Sequence, residues 1–154
     1  MALNYNEFGK KMEVLFENIV QAIPDITQAN ALTAKALLVH RIREQGLTAE
    51  ETAFPAYSKA YKKRKQKEGH DVGFTNLSNT NRMLNNLQIV ATGRDSGGYF
   101  ADISAKSEEE VAKLGYNEEH YHNILGMTKK EEVLLAEDFD TALEVVIAED
   151  GFGK

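Results

Sequence analysis

The chain has 154 residues, 42% of them hydrophobic and 27% charged, with 18 basic against 24 acidic side chains and a formal net charge of −6. That balance supports one domain with a real core and excludes collagen-like and intrinsically disordered chains. The absence of cysteine removes disulfide scaffolds, thiolate zinc sites and cysteine nucleophiles together.

In chain order, Asn4 and Glu7 have the spacing of a capping box, and Phe8, Met12, Leu15, Phe16, Ile19, Val20 and Ile23 follow at helical spacing. The expectation is an amphipathic helix ending at Pro24. Asp25 and Thr27 can cap a second helix, whose apolar positions Ala29, Leu32, Ala36, Leu37, Val39 and Ile42 run up to Gly46. Residues 55–72 are polar, basic and aromatic, and predict a loop followed by a short exposed helix or arm. Leu87, Ile89 and Ala91, then Tyr99, Ala101 and Ile103, alternate with their neighbours on either side of the glycine-rich stretch 93–98. Period-2 patterns flanking such a turn predict a β-hairpin with Arg94 and Asp95 at its tip.

Ser107 and Glu110 form a second capping box, opening a short helix expected to end at Gly115. A third, Thr128 with Glu131, opens the last helix, where Leu135, Phe139, Ala142 and Val146 lie on one stripe. Residues 151–154 should form a loose tail. The predicted fold class is α+β: N-terminal helices and a C-terminal helix packed on a small antiparallel β-sheet, in a single domain over residues 1–150. No apolar run approaches the roughly 20 residues needed to cross a bilayer, and Asn, Glu and Lys occupy the place of a signal-peptide core. A soluble protein made without export is expected, with no membrane contact.

Three segments carry candidate chemistry. In Glu118-Glu119-His120-Tyr121-His122, two histidines at i and i+2 would point the same way on a strand, as a metal site needs. A third ligand is required, and neither His40 nor His70 has a spacing that nominates it, so His120 and His122 are read as part of a surface or interface loop with no metal. The basic run Lys62, Lys63, Arg64, Lys65 and Lys67, preceded by Lys59 and interleaved with Tyr57 and Tyr61, is the one plausible nucleic-acid surface. The overall acidity argues against a dedicated DNA binder and favours a solvated face or an arm docking on an acidic neighbour. The glycine-rich stretch at 93–98 opens no helix and lacks a following Lys-Ser or Lys-Thr, so it is a hairpin tip and not a phosphate loop. No Gly-x-Ser-x-Gly is present, and no Ser, His and Asp set is distinguished by spacing. The expectation is a protein that is not an enzyme and uses no cofactor.

Charge is uneven. Residues 1–85 hold 12 basic and 9 acidic side chains, a net of +3, and residues 86–154 hold 6 and 15, a net of −9. A chain polarised in this way can associate head-to-tail with its own copies.

The order of several short motifs carries a resemblance. Phe54-Pro55-Ala56-Tyr57-Ser58-Lys59-Ala60-Tyr61 with its following lysines comes first, then Leu77-Ser78-Asn79-Thr80-Asn81-Arg82-Met83-Leu84-Asn85-Asn86-Leu87, then the hairpin, and then His122-Asn123-Ile124-Leu125-Gly126-Met127-Thr128 leading into a helix. This succession, over roughly residues 54–147, resembles tailed-bacteriophage virion morphogenesis proteins of the head-tail joining (neck) and tail-completion type. Asn81 stands where that family usually has Gly. The resemblance implies a structural protein made in the host cytoplasm and residing in the virion, where copies form a ring around the DNA channel. Its partners would be itself, a portal or head-completion protein, the tail-tube protein and, transiently, passing DNA. The alternative is a small nucleic-acid-binding regulatory protein that uses the Lys59 to Lys67 segment.

Overall fold

A computed structural model describes residues 5–77 and 82–149. The expected cap at Asn4, the centre of the Leu77-to-Leu87 motif and the tail at 151–154 lie outside the described residues. The fold is α+β, with helices packed against a two-stranded antiparallel sheet.

The first helix, α1 (Tyr5–His40), is a single element of 36 residues, about 54 Å long. The expected break at Pro24 does not occur. Proline removes one backbone hydrogen bond and crowds the preceding turn, at a cost of about 3 kcal/mol. Here the half-buried positions Ile19, Ile23, Ile26 and Asn30 keep one helical phase across Pro24, and both sides of the proline pack on the rest of the protein. Pro24 and Thr27 face Thr92, Gly93, Tyr99 and Phe100 of the hairpin. Tertiary packing therefore outweighs the local penalty.

α1 closes in a π-turn (Arg41–Gln45), and Gly46 N–H donates to the Arg41 carbonyl. Gly46 has φ +66°, and a Cβ there would stand 2.4 Å from the Phe74 ring and 2.7 Å from the Thr75 carbonyl oxygen, so backbone and packing both demand glycine. The extra residue of the π-turn lets consecutive side chains go inward in different directions: Ile42 enters the apolar core, and Arg41 reaches the far end of the chain.

Helix α2 (Lys59–Lys67) is capped by the Ser58 hydroxyl, which accepts from Tyr61 N–H. A single turn, α3 (Arg82–Asn85), leads into β1 (Leu87–Asp95), which pairs with β2 (Gly98–Ala105) through the two-residue turn Ser96-Gly97. Arg94 and Asp95 are the last residues of β1, at the tip of the hairpin beside the turn. A β-bulge between Ile89 and Ala91 breaks the expected alternation. Ala91 is exposed, and the added residue carries Thr92 onto the face of Leu87 and Ile89.

Helix α4 (Glu108–Tyr121) begins at the predicted Ser107 cap but continues past Gly115 for six residues. Gly115 sits on the open side of the helix, with nothing within 4 Å of where its Cβ would be. An exposed glycine costs a helix only about 1 kcal/mol, and Leu114, Glu118 and Tyr121 hold the inner face on either side of it. Helix α5 (Lys129–Ile147) starts with the predicted capping box, both of whose hydrogen bonds are present. It runs antiparallel to α1: Glu131 meets Arg41, and Asn30 Nδ2 donates to the Leu135 carbonyl at 2.9 Å.

The core lies at the C-terminal end of α1, where Leu38, Ile42, Phe54, Met83, Leu84, Leu87, Ala105, Leu114 and Ile124 meet. The N-terminal half of α1 contributes less than its pattern predicts. Leu15 is buried, but Phe16 is 60% exposed, Val20 53% and Tyr5 94%, and Phe8 is exposed as well. From Asn30 beside Leu135, α5 has only 12 residues left to Ile147, about 18 Å. The first turns of α1 therefore extend beyond it.

Candidate interaction surfaces

The basic segment is an ordered helix with two distinct faces. Tyr57, Tyr61 and Lys65 are spaced i, i+4, i+8, and this stripe turns inward. Lys65 is fully buried. Its Nζ donates to the Tyr57 hydroxyl at 3.0 Å and to Asn76 Oδ1 at 3.4 Å, and it lies 4.6 Å from the centre of the Tyr57 ring. The Tyr57 hydroxyl in turn donates to Asn76 Oδ1 and accepts from Asn76 N–H, both at 3.2 Å. Tyr57 and Tyr61 pack ring to ring at 5.0 Å. The knot ties α2 to the segment that follows it. Lys65 and Tyr57, expected to face a partner or DNA, hold the fold instead, because an ammonium buried with two oxygens and an aromatic face is already satisfied.

The opposite face is open. Lys59, Lys62, Lys63, Arg64 and Lys67 are exposed. Arg64 stacks over Tyr61 and lies 3.8 Å from Glu68, whereas Lys59, Lys62, Lys63 and Lys67 form no ion pair within the described residues. The free cations are thus those whose spacing keeps them off the Tyr57–Lys65 stripe, a distinction visible in the i, i+4 pattern.

Neither histidine is on a strand, and only His122 lies in the expected loop. His120 belongs to the last turn of α4, where its ring stacks on Tyr116 and meets the Tyr121 ring edge-on. His122 is the residue after the helix, with φ +57°. The strand geometry on which the paired spacing depended is therefore absent, and no group of three potential ligands occurs among the described residues. At the hairpin end, Arg94 lies over the Tyr99 ring at 5.4 Å, and Asp95 accepts from Gly97 N–H at 2.7 Å, so both side chains serve the hairpin itself.

Beyond α4 lies a clasp that no motif in the sequence predicts. His122 and Asn123 both have positive φ, a conformation unfavourable for non-glycine residues, and dense hydrogen bonding holds them there. One carboxylate oxygen of Glu118 accepts from Ile124 N–H at 2.8 Å and from Leu125 N–H at 3.1 Å. The Asn123 carbonyl accepts from Ala49 N–H at 2.9 Å, while its side-chain amide donates to Glu50. Arg41, only 2% exposed, closes the arrangement. It donates to the Ile124 and Gly126 carbonyls at 3.0 and 2.7 Å and pairs with Glu131 at 2.8 Å. The same Glu131 oxygen accepts from Thr128 N–H at 2.7 Å as part of the helix cap. Burial lowers the pKa of the Arg41 guanidinium, and the carboxylates of Glu131 and Glu50 oppose the shift. Nothing in the local sequence announces this long-range pair: Glu131 is legible only as a capping residue.

The clasp fixes the rotation of α5. With Leu135, Phe139, Ala142 and Val146 turned inward, Glu137, Asp140 and Glu144 form a solvent-facing ridge. No helix among the described residues is long and apolar enough to cross a membrane. Comparison with protein-family models, curated proteins and solved structures finds no match to this chain.

Proposed function

We propose that this chain is a structural virion protein of a tailed bacteriophage, assembling as a ring in the neck or at the head-proximal end of the tail. The observation that carries the reading is the N-terminal half of α1. Its first turns extend past α5, and Tyr5, Phe8, Phe16 and Val20 along it are exposed, while the C-terminal half is embedded in the core. A helix anchored at one end and apolar at the free end is suited to insertion against a partner, and contiguous exposed apolar surface on a small protein marks an interaction site.

Two further features support it. Phe54, Leu84, Leu87 and Ile124, which carry part of the resemblance to the neck and tail-completion family, are core residues. The likeness therefore concerns the scaffold on which a ring subunit of that family would be built. An acidic body with a single local basic helix also suits a channel that DNA must slide through, since few phosphates would be gripped. The test is light scattering on the purified protein, alone and mixed with portal rings or tail-tube protein. A discrete oligomer, or stoichiometric retention on one of those partners, is expected. A monomer at high concentration that also binds neither partner refutes the reading.

The exposed lysines of α2 favour a second reading, a small nucleic-acid-binding protein. It requires salt-dependent DNA binding that is lost when Lys62, Lys63 and Arg64 are neutralised, with Lys65 left intact because it is buried. No binding at low salt removes it.

A further inference from the structure

We infer that the ring contact, on the reading just proposed, joins the exposed ridge of α2 in one copy to the exposed ridge of α5 in the next. The burial of Lys65 sets the rotation of α2 and leaves Lys59, Lys63 and Lys67 along the opposite side at i, i+4, i+8, a row about 12 Å long. The apolar stripe of α5 and the Arg41–Glu131 pair do the same for Glu137, Asp140 and Glu144 at i, i+3, i+7, a row of about 10 Å. Val133, 56% exposed, heads the acidic row on the same face.

The two rows match in length and number and are opposite in sign. Like charges at such spacing repel within a helix, yet none of these six side chains is neutralised by an ion pair among the described residues, although other surface charges are. Arg64 with Glu68, Lys113 with Glu109 and Lys130 with Glu51 all pair. The rows lie on different elements, so a single contact between two copies is heterologous and leaves a free row at each end of the pair. That is the requirement for closing a ring rather than stopping at two. Exposed ion pairs contribute little holding energy and act chiefly on orientation and encounter rate, which leaves the apolar side chains of α1 to hold what the charges align.

The test uses two triple variants of the full chain, K59E/K63E/K67E and E137K/D140K/E144K, each checked by circular dichroism for an unchanged fold. Each alone should assemble at least tenfold more weakly than the wild type. An equal mixture of the two should co-assemble, because one then carries two acidic rows and the other two basic rows. Carbodiimide, which joins amines to carboxylates already in contact, should link Lys63 to Asp140 between copies in a mixture of unlabelled and isotope-labelled protein. If the wild type assembles and both variants assemble with unchanged affinity, this contact is overturned and the ring reading stands. The same holds if reversing α2 abolishes DNA binding while assembly persists. A wild type that remains monomeric alone and in the presence of portal rings or tail-tube protein overturns both.

Discussion

Replacing Arg41 by Met removes the centre of the clasp while keeping much of its volume. Arg41 makes one charged pair and two carbonyl hydrogen bonds, all at 2.7–3.0 Å and almost fully shielded from water. A hydrogen bond to a charged group is worth about 1.5–3 kcal/mol, but three from one guanidinium do not add. The larger effect is that Glu131 remains buried without its cation, and breaking a buried pair from one side costs about 3–5 kcal/mol. Against a typical stability of about 5–15 kcal/mol this is a large fraction. With a urea slope near 2 kcal/mol per molar, the midpoint should fall by about 2 M. Equilibrium urea unfolding followed by far-ultraviolet circular dichroism measures it. Pairing R41M with E131Q, which keeps an acceptor for the Thr128 cap, should cost less than the sum of the two single changes by about 1 kcal/mol or more. A midpoint for R41M within 0.5 M of wild type at unchanged slope, about 1 kcal/mol on the same slope, would show that the pair does not hold the clasp.

Three other outcomes follow from the geometry. Lys65→Ala should destabilise by about 2–3 kcal/mol, whereas Lys63→Ala on the open face of α2 should stay within about 0.5 kcal/mol, a contrast that thermal unfolding of the two variants resolves. Gly46→Ala should cost about 2 kcal/mol or more, because alanine at φ +66° is strained and its Cβ meets the Thr75 backbone; equal stability would contradict that contact. Burial raises the pKa of Tyr121 above the ordinary value of 10.0, so its neutral form is favoured in the folded state. The stability this provides is present below pH 10 and is lost as pH rises from there through the folded value, and Tyr121→Phe should flatten the alkaline limb of a stability profile without altering the neutral region.

Local rules and long-range packing divided the legible from the illegible here. Thr128 with Glu131, Ser107 as a cap and the two-residue hairpin turn are short-range chemistry, and each appears where its residues predict it. The α+β class followed from the same signals. Pro24 and Gly115 do not end their helices, because both are local breakers whose penalties of about 1–3 kcal/mol are smaller than the packing of the helices that contain them. The bulge at Ile89 to Ala91 defeated a simple alternation, since one inserted residue exchanges the faces beyond it. In the candidate surfaces, charge count misled where spacing would have informed. Lys65 sits in a basic run but shares the helical stripe of Tyr57 and Tyr61, so it was buried with them. Arg41 with Glu131 had no signal at all, being 90 residues apart in the chain.

The proposed function of this chain depends on its assembly. Negative-stain electron microscopy of the purified protein at high concentration, with portal rings or tail-tube protein added if it assembles only on a partner, tests that most directly. Class averages should show an annulus of uniform diameter around an open centre wide enough for duplex DNA. Isolated monomers, with no added annulus on either partner, would contradict it.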